Sequence, residues 1–192
     1  MTFTDKLRIF FGSTLSIIGG FLFKIGLRAN TITLLGVAGN AVATFYIARG
    51  DLLVGGVLVV LTGPLDALDG TLARFQDDLR PFGALFDSLA DRFSEGLILL
   101  GLLIYFLDLG SRTGCVLTFV ALTGSLLVSY IRARAQSLGC DVKIGLLTRV
   151  ERYIIISLAL LFSQPLAGLW LLATLTYVTI IQRVWFAWKE LH

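Results

Sequence analysis

Four aspartates, Asp66, Asp69, Asp87 and Asp91, fall within the 26-residue stretch DALDGTLARFQDDLRPFGALFDSLAD of an otherwise strongly apolar chain. Asp66 and Asp69 are three apart and Asp87 and Asp91 four apart, so on helices each pair occupies one face. The polar link 75–81 is short and ends in Pro81, which makes the two helices antiparallel neighbours whose acidic faces meet at one depth. Four carboxylates in one small cavity cannot all stay ionised uncompensated: their pKa values rise, or cations sit among them. An all-oxygen donor set suits hard divalent ions such as Mg²⁺ or Mn²⁺, particularly when a phosphate completes the shell. Gly70 and Gly83 allow a substrate or a neighbouring helix to approach the backbone, and Ala73 is also small. Arg74 ends the first helix where its guanidinium can meet a phosphate or carboxylate bidentately. The competing reading is a set of satisfied intramembrane ion pairs, such as Asp91 with Arg92. Four acids in register at one helix hairpin weigh against it.

The elements that carry these residues are membrane helices. The chain has 192 residues, 56% of them hydrophobic, and a mean hydropathy of +0.86. That composition excludes an ordinary soluble domain and indicates an all-α polytopic membrane protein. Six segments approach the roughly 20 apolar residues of a spanning helix: 31–48, 52–73, 82–107, 113–135, 150–162 continuing to about 166, and 167–188. Residues 1–28 alternate apolar positions with Lys6, Arg8, Lys24 and Arg28, the pattern of an amphipathic helix lying in the interface, with a weak point at Gly19-Gly20. The N-terminus lacks the features of a cleavable signal peptide. Cys115 and Cys140 match neither a metal motif nor a disulfide framework.

With six spans, thirteen Lys and Arg near helix ends fall on one side and only Arg49 and Arg112 on the other. This bias places both termini, and the acidic hairpin, on the cytoplasmic side of the cell membrane. The net charge of +3 reads as orientation and contact with anionic lipid, and no motif favours nucleic acid. Arg132 and Arg134 end the fourth span, Arg149 and Arg152 open the fifth, and Arg183 interrupts an apolar run in the sixth. Arg134 and Arg149 read individually as charge decoration. Guanidinium groups converging beside a metal site suit a phosphate-bearing acceptor and would repel choline or ethanolamine.

The run Asp66-x-x-Asp69-Gly70-x-x-Ala73-Arg74, eight residues, Gly83-x-x-x-Asp87-x-x-x-Asp91 resembles the complete signature of the CDP-alcohol phosphotransferases. The resemblance implies a single membrane domain over 1–192, with an interfacial helix at 1–28 and a six-helix transmembrane bundle at 31–188. It also implies two divalent cations, Mg²⁺ or Mn²⁺. Asp66 and Asp87 would contact both, Asp69 the first and Asp91 the second. Asp91 would be the general base that deprotonates an acceptor hydroxyl, whose oxygen attacks the lipid-side phosphorus as CMP leaves. The CDP-lipid, CDP-diacylglycerol or CDP-archaeol, would lie against Asn30, Thr31, Thr33, Gly70, Ala73, Arg74, Arg80 and Gly83, with its chains among the membrane lipids. Asn30-Thr31-Ile32-Thr33 is similar to the family's nucleotide-side segment, and the other reading of these residues is a helix cap. Arg80 departs from the small hydroxyl residue that members with phosphorylated acceptors tend to carry.

The basic segments further resemble those of phosphatidylinositol-phosphate synthases and their archaeal archaetidyl counterparts. In those enzymes "SYxKARAE", "ERPER" and "QR" segments hold inositol phosphate. The matching positions are Ser129, Arg132, Arg152 and Arg183. Arg132 replaces Lys, Gln136 replaces Glu, and Val150 replaces Pro. Inositol 1-phosphate is the expected acceptor and glycerol 3-phosphate the alternative. A cation transporter would place its acids nearer the midplane, often within internal repeats, and a non-enzymatic scaffold would be expected to have lost ligands. Gly101, Gly114 and Gly124 are read as positions for helix packing or for a homodimer interface.

Overall fold

A computed structural model describes residues 15–75 and 81–192, all of whose regular elements are helices. In chain order these are α1 (Leu15–Lys24), α2 (Ala29–Ala48), α3 (Leu52–Phe75), α4 (Pro81–Asp108), α5 (Arg112–Ser137), α6 (Arg149–Leu161) and α7 (Pro165–Leu191). The longer helices form a closed circuit of neighbours: α2 packs on α3 and α4, α3 on α6, α6 on α7, α7 on α5, and α5 on α4. Its centre is a continuous apolar core that includes Ile47, Val59, Ile98, Leu99, Leu160 and Leu172. Phe45, Leu61, Phe119, Trp170 and Ile181 point outward and are exposed. That inside-out distribution is what a lipid-facing surface looks like, where burial against hydrocarbon replaces burial in protein. Four helices, α2, α3, α5 and α7, are both long and apolar enough to cross a bilayer. The chain is a multi-pass membrane protein.

The helices depart from the sequence reading in instructive places. The fifth segment does not run on to 166: α6 stops at Leu161 after 13 residues, and α7 begins at Pro165. Pro165 has no N–H to donate and its ring disfavours a helical residue before it, so a helix can start there but not pass through. Ser163 makes the turn with φ of 52°. The first span begins at Ala29, capped by the backbone of Arg28, so Asn30, Thr31 and Thr33 lie inside its first turn and are not its cap. Gly19-Gly20 does not interrupt α1. A Cβ on Gly19 would come within 2.9 Å of Thr71 Cγ2, so the glycine lets α1 sit directly on α3. Leu15, Leu22 and Leu27 complete that contact against Ile32, Leu68 and Leu72.

Small residues set the other close approaches. Cβ atoms on Gly101, Gly114 and Gly124 would lie 2.9 Å from the Thr44 carbonyl oxygen, 2.3 Å from the Phe106 ring and 2.4 Å from Thr176 Oγ1. All three glycines are consumed by packing within the chain, which takes them out of a homodimer interface. Cys115 and Cys140 are free thiols. Gly101→Leu would drive a side chain into the backbone of α2. Overpacking of this kind costs about 1–3 kcal/mol, more than the ~1 kcal/mol of helix propensity gained over glycine. The variant should lose thermal stability in detergent; an unchanged melting temperature would contradict the tight α2–α4 contact.

Candidate active site

Two cavities meet where α4 passes α6. The first, about 450 Å³, lies among α2, α3, α4 and α6 and is mostly apolar, lined by residues such as Ile32, Val37, Val60, Pro64 and Ile154. Thr33, Asp69 and Asp91 also open onto it. The second, about 360 Å³, is polar and lies among α4, α5, α6 and α7. Ser129, Arg132, Arg152 and Arg183, which the sequence places on three separate helices, all line this second cavity, together with Asp91 and Glu95. Asp91 and Arg149 line both, and they are joined: Arg149 Nη2 lies 2.7 Å from Asp91 Oδ1. The ion pair is therefore the shared wall between an apolar chamber and a cationic one.

The aspartates are individually held. Asp69 is 4% exposed, and its Oδ2 accepts a 2.7 Å bond from Thr33 Oγ1, which ties α3 to the first turn of α2. Asp87 is half-buried one helical turn before Asp91. Asp66 lies on α3 with its side chain outside the described residues, and Arg80 lies outside them altogether. Among the described residues no three carboxylate, imidazole or thiol groups come together. The four-carboxylate cluster expected from sequence includes Asp66, whose side chain lies outside the described residues, and of the other three Asp91 is paired with a guanidinium. The donor chemistry nonetheless fits divalent ions: the ligands are oxygens only, and Arg149 supplies beside Asp91 the positive charge that a cation would supply. Arg92 is not the partner of Asp91; its Nη1 donates to the Ser88 carbonyl of its own helix.

Among the described residues a Cβ on Gly70 or Gly83 would meet nothing within 4 Å. They are not helix-packing glycines, which leaves room at the backbone for a ligand. Ala73 is half-buried on α3, and exposed Arg74 turns back to Thr71 Oγ1 at 3.1 Å. Asn30 and Thr31 are exposed, whereas Ile32 and Thr33 point inward.

The basic residues divide by what they touch. Arg152, 2% exposed, donates through Nε and Nη2 to both oxygens of Glu95 at 2.7 and 2.8 Å. Glu95 escaped the sequence reading, although it continues the four-residue spacing of Asp87 and Asp91 on the same helix face. Asp91–Arg149 and Glu95–Arg152 are thus successive rungs between α4 and α6. Arg183 is buried, with Nε donating to the Ile144 carbonyl at 3.0 Å and Nη1 to that of Val128 at 2.6 Å. The Ile144 bond, with Thr179 Oγ1 accepting from Leu147 N at 3.1 Å and Gln182 Oε1 from Leu146 N at 3.2 Å, straps the 138–148 loop onto α7, and the Val128 bond ties α7 to α5. Gly145 must be glycine there: its φ is +132°, and a Cβ would stand 2.6 Å from Thr179 and 3.2 Å from Arg183 Nε. Arg132 is exposed at the rim and Ser129 half-buried. At α6, Glu151 Oε2 accepts from Thr148 N at 2.9 Å and from Thr148 Oγ1, a capping arrangement that fixes where Arg149 and Arg152 start.

A buried charge left without its partner costs about 3–5 kcal/mol, whereas replacing both members with apolar groups is often neutral. Glu95→Leu should therefore destabilise the protein strongly. The double variant Glu95→Leu/Arg152→Met should recover most of that stability. Equal melting temperatures for the single and double variants would contradict the buried pair.

The CDP-alcohol phosphatidyltransferase family matches this chain over residues 27–187. The archaetidylinositol phosphate synthase of Methanothermobacter thermautotrophicus is 39% identical to it over 174 residues, covering 88% of this chain and 87% of that protein. The structure of Mycobacterium tuberculosis phosphatidylinositol phosphate synthase with CDP-DAG bound superposes with a TM-score of 0.85 at 30% identity, covering 91% of this chain and 93% of that one. The structure of the same synthase in complex with manganese and citrate gives a TM-score of 0.83 at 30% identity, covering 91% and 88%. The chain belongs to the CDP-alcohol phosphatidyltransferase family, and it is a transferase.

Proposed function

We propose that this CDP-alcohol phosphatidyltransferase moves the lipid phosphate of CDP-diacylglycerol or CDP-archaeol onto inositol phosphate and releases CMP. The observation that carries the reading is the convergence of Ser129, Arg132, Arg152 and Arg183 with Asp91 in one polar cavity beside an apolar chamber. Relatives named archaetidylinositol and phosphatidylinositol phosphate synthases, one of them with CDP-DAG bound, support the choice of both substrates.

In this reading Asp66, Asp69, Asp87 and Asp91 hold two divalent cations, Mg²⁺ or Mn²⁺, and the manganese complex of the tuberculosis synthase supports that choice. When bound, the ions neutralise the pyrophosphate and the carboxylates around it. Gly70, Gly83 and Arg74 leave space and charge for the cytidine diphosphate at the open end of α3 and α4, with Asn30, Thr31 and Ala73 on the same side; Arg80, the further expected contact, lies outside the described residues. The lipid enters from the apolar chamber, and the phosphorylated acceptor occupies the cationic one. Asp91 faces both, so it is placed to take the acceptor's hydroxyl proton. The acceptor oxygen then forms a bond to the lipid-side phosphorus, and the bond from that phosphorus to the bridging oxygen breaks with CMP as leaving group. Release of Asp91 from Arg149 would accompany loading, leaving Arg149 to turn its charge toward the acceptor chamber that it also lines. Thr33 holds Asp69 in place meanwhile.

The placement in the membrane follows from the same elements. Pro81–Asp108 has ample length for a span but carries Asp87, Asp91, Arg92 and Glu95 between its start and its middle. Arg149–Leu161 is short because its charged start belongs to the site. In this reading both complete a six-span bundle with α1 along the interface, and the site and both termini lie on the cytoplasmic, Lys- and Arg-rich side; residues 1–14 of the expected interfacial helix lie outside the described residues.

Purified protein incubated with CDP-diacylglycerol and Mn²⁺ should release CMP and form lipid product with labelled inositol 1-phosphate. Product with glycerol 3-phosphate alone would overturn the acceptor, and product with free inositol or serine would overturn the role of the arginines. Asp91→Asn should lower turnover by about 10²–10⁴-fold, the usual worth of a positioned general base, while CDP-lipid binding persists. Turnover at the wild-type rate would contradict the assignment of the base.

A further inference from the structure

The polar cavity holds more positive charge than its own carboxylates answer. Arg92, Arg132, Arg149, Arg152 and Arg183 line it, against Asp91 and Glu95. Asp91 is paired with Arg149, and both oxygens of Glu95 are taken by Arg152. Three guanidinium groups are left over. Arg183, 3% exposed, donates to the backbone carbonyls of Ile144 and Val128. Arg132 is exposed at the rim. Among the described residues neither of these nor Arg92 forms an ion pair with a carboxylate. Like charges gathered around a space of about 360 Å³ repel one another unless an anion joins them.

Of the three, Arg92 is the one to which the reaction assigns no role. It belongs to the stripe Ser88, Arg92, Glu95 and Leu99 along one face of α4. That stripe ends in the core, where Leu99 is 1% exposed, whereas Leu89 and Phe93 look out to lipid at 62% and 58%. An arginine three residues before a glutamate is that residue's ordinary partner on a helix, but the bidentate bond from Arg152 has taken Glu95. Arg92 turns instead toward the start of its own helix, where Nη1 donates to the Ser88 carbonyl. That bond uses a single N–H of the planar fork. The remaining donors meet no acceptor among the described residues, and Ser88 and Arg92 both open onto the cavity.

We infer that Arg92 is a phosphate-binding residue of the acceptor site, closing with Arg132 and Arg183 around a phosphomonoester. The assignment rests on the proposed class of phosphorylated acceptor and names the residue on α4 that sets where its phosphate sits. A phosphomonoester carries about two negative charges at neutral pH, which answers most of the excess. A guanidinium fork also meets phosphate oxygens in pairs. Arg92 follows Asp91 directly in the chain, so a phosphate held there ties the acceptor to the helix that carries the proposed base. Arg132 and Arg183, on α5 and α7, supply charge without that tie. Arg152 serves the set by occupying Glu95, which keeps a carboxylate from competing for Arg92.

The test is equilibrium binding of labelled inositol 1-phosphate and glycerol 3-phosphate to the purified protein in detergent, with EDTA so that no metal holds the phosphate. Arg92→Gln should raise the Kd of both phosphates about tenfold, the equivalent of 1.4 kcal/mol. Arg92→Lys keeps the charge without the planar fork, so its Kd should fall between those of the wild type and Arg92→Gln. Should Arg92→Gln fail to fold, the Kd of Arg92→Lys decides in the same way. CDP-diacylglycerol, bound with Mn²⁺, should keep its Kd in both variants, which a general loss of structure would not allow. No phosphate binding by the wild type, an unchanged phosphate Kd in the variant that decides, or an equal rise for CDP-diacylglycerol overturns the assignment. Because phosphate binding is read without turnover, CMP release with serine or free inositol would count against the proposed acceptor while leaving this Kd to decide the role of Arg92.

Discussion

Charge compensation between α4 and α6 is the constraint on which the rest of the structure depends. α6 is only 13 residues long, and its first turn carries two arginines into a bundle whose surroundings are otherwise apolar. Such charges are tolerated only when matched, and the match is with Asp91 and Glu95, one helical turn apart on α4. The Glu95–Arg152 pair is buried and bidentate, so it fixes rotation and register as well as distance. It adds little net stability over an apolar substitute, but it strictly penalises any arrangement that leaves one partner behind. The Asp91–Arg149 pair is more open, its side chains 14% and 33% exposed, and is the weaker of the two rungs. One rung is suited to holding the helices and the other to exchanging partners.

From that arrangement the division of the site follows. The exchangeable rung separates an apolar chamber from a cationic one, so a single carboxylate lines both chambers and, in the proposed reaction, faces both substrates. The strapped 138–148 loop closes the cationic chamber through Arg183, whose backbone bonds give it a structural duty as well as a charge facing the cavity. Glycines at the α2–α4 and α5–α7 contacts bring the helices close enough for these side chains to reach. Outside the site, the exposed Phe, Leu and Trp side chains need only lipid as their neighbour.

Much of this was legible in the sequence because membrane helices are written as long apolar runs and the motif carries fixed spacings. The two arms of the aspartate motif lie on α3 and α4, which both pack on α2 rather than chiefly on each other as the short link had suggested, and the four acceptor-side residues from three helices do line one cavity. What escaped was pairing. Nothing local says that Arg152 meets Glu95 rather than a substrate, or that Arg149 meets Asp91, because those partners are brought together by helix order. A reader following the four-residue rhythm of Asp87 and Asp91 one step further would have reached Glu95. The overextended fifth segment came from reading hydropathy across Gln164-Pro165, where backbone chemistry takes precedence over side-chain polarity.

In the proposed reaction Arg149 holds the charge of Asp91 until a divalent cation takes it over. Manganese binding followed by the electron paramagnetic resonance of free Mn²⁺ tests this without any turnover. Arg149→Gln removes the competing guanidinium, so Mn²⁺ should bind about tenfold more tightly than to the wild type, some 1.4 kcal/mol. Unchanged or weaker binding by Arg149→Gln would contradict it, because Asp91 would then owe nothing to its partner on α6.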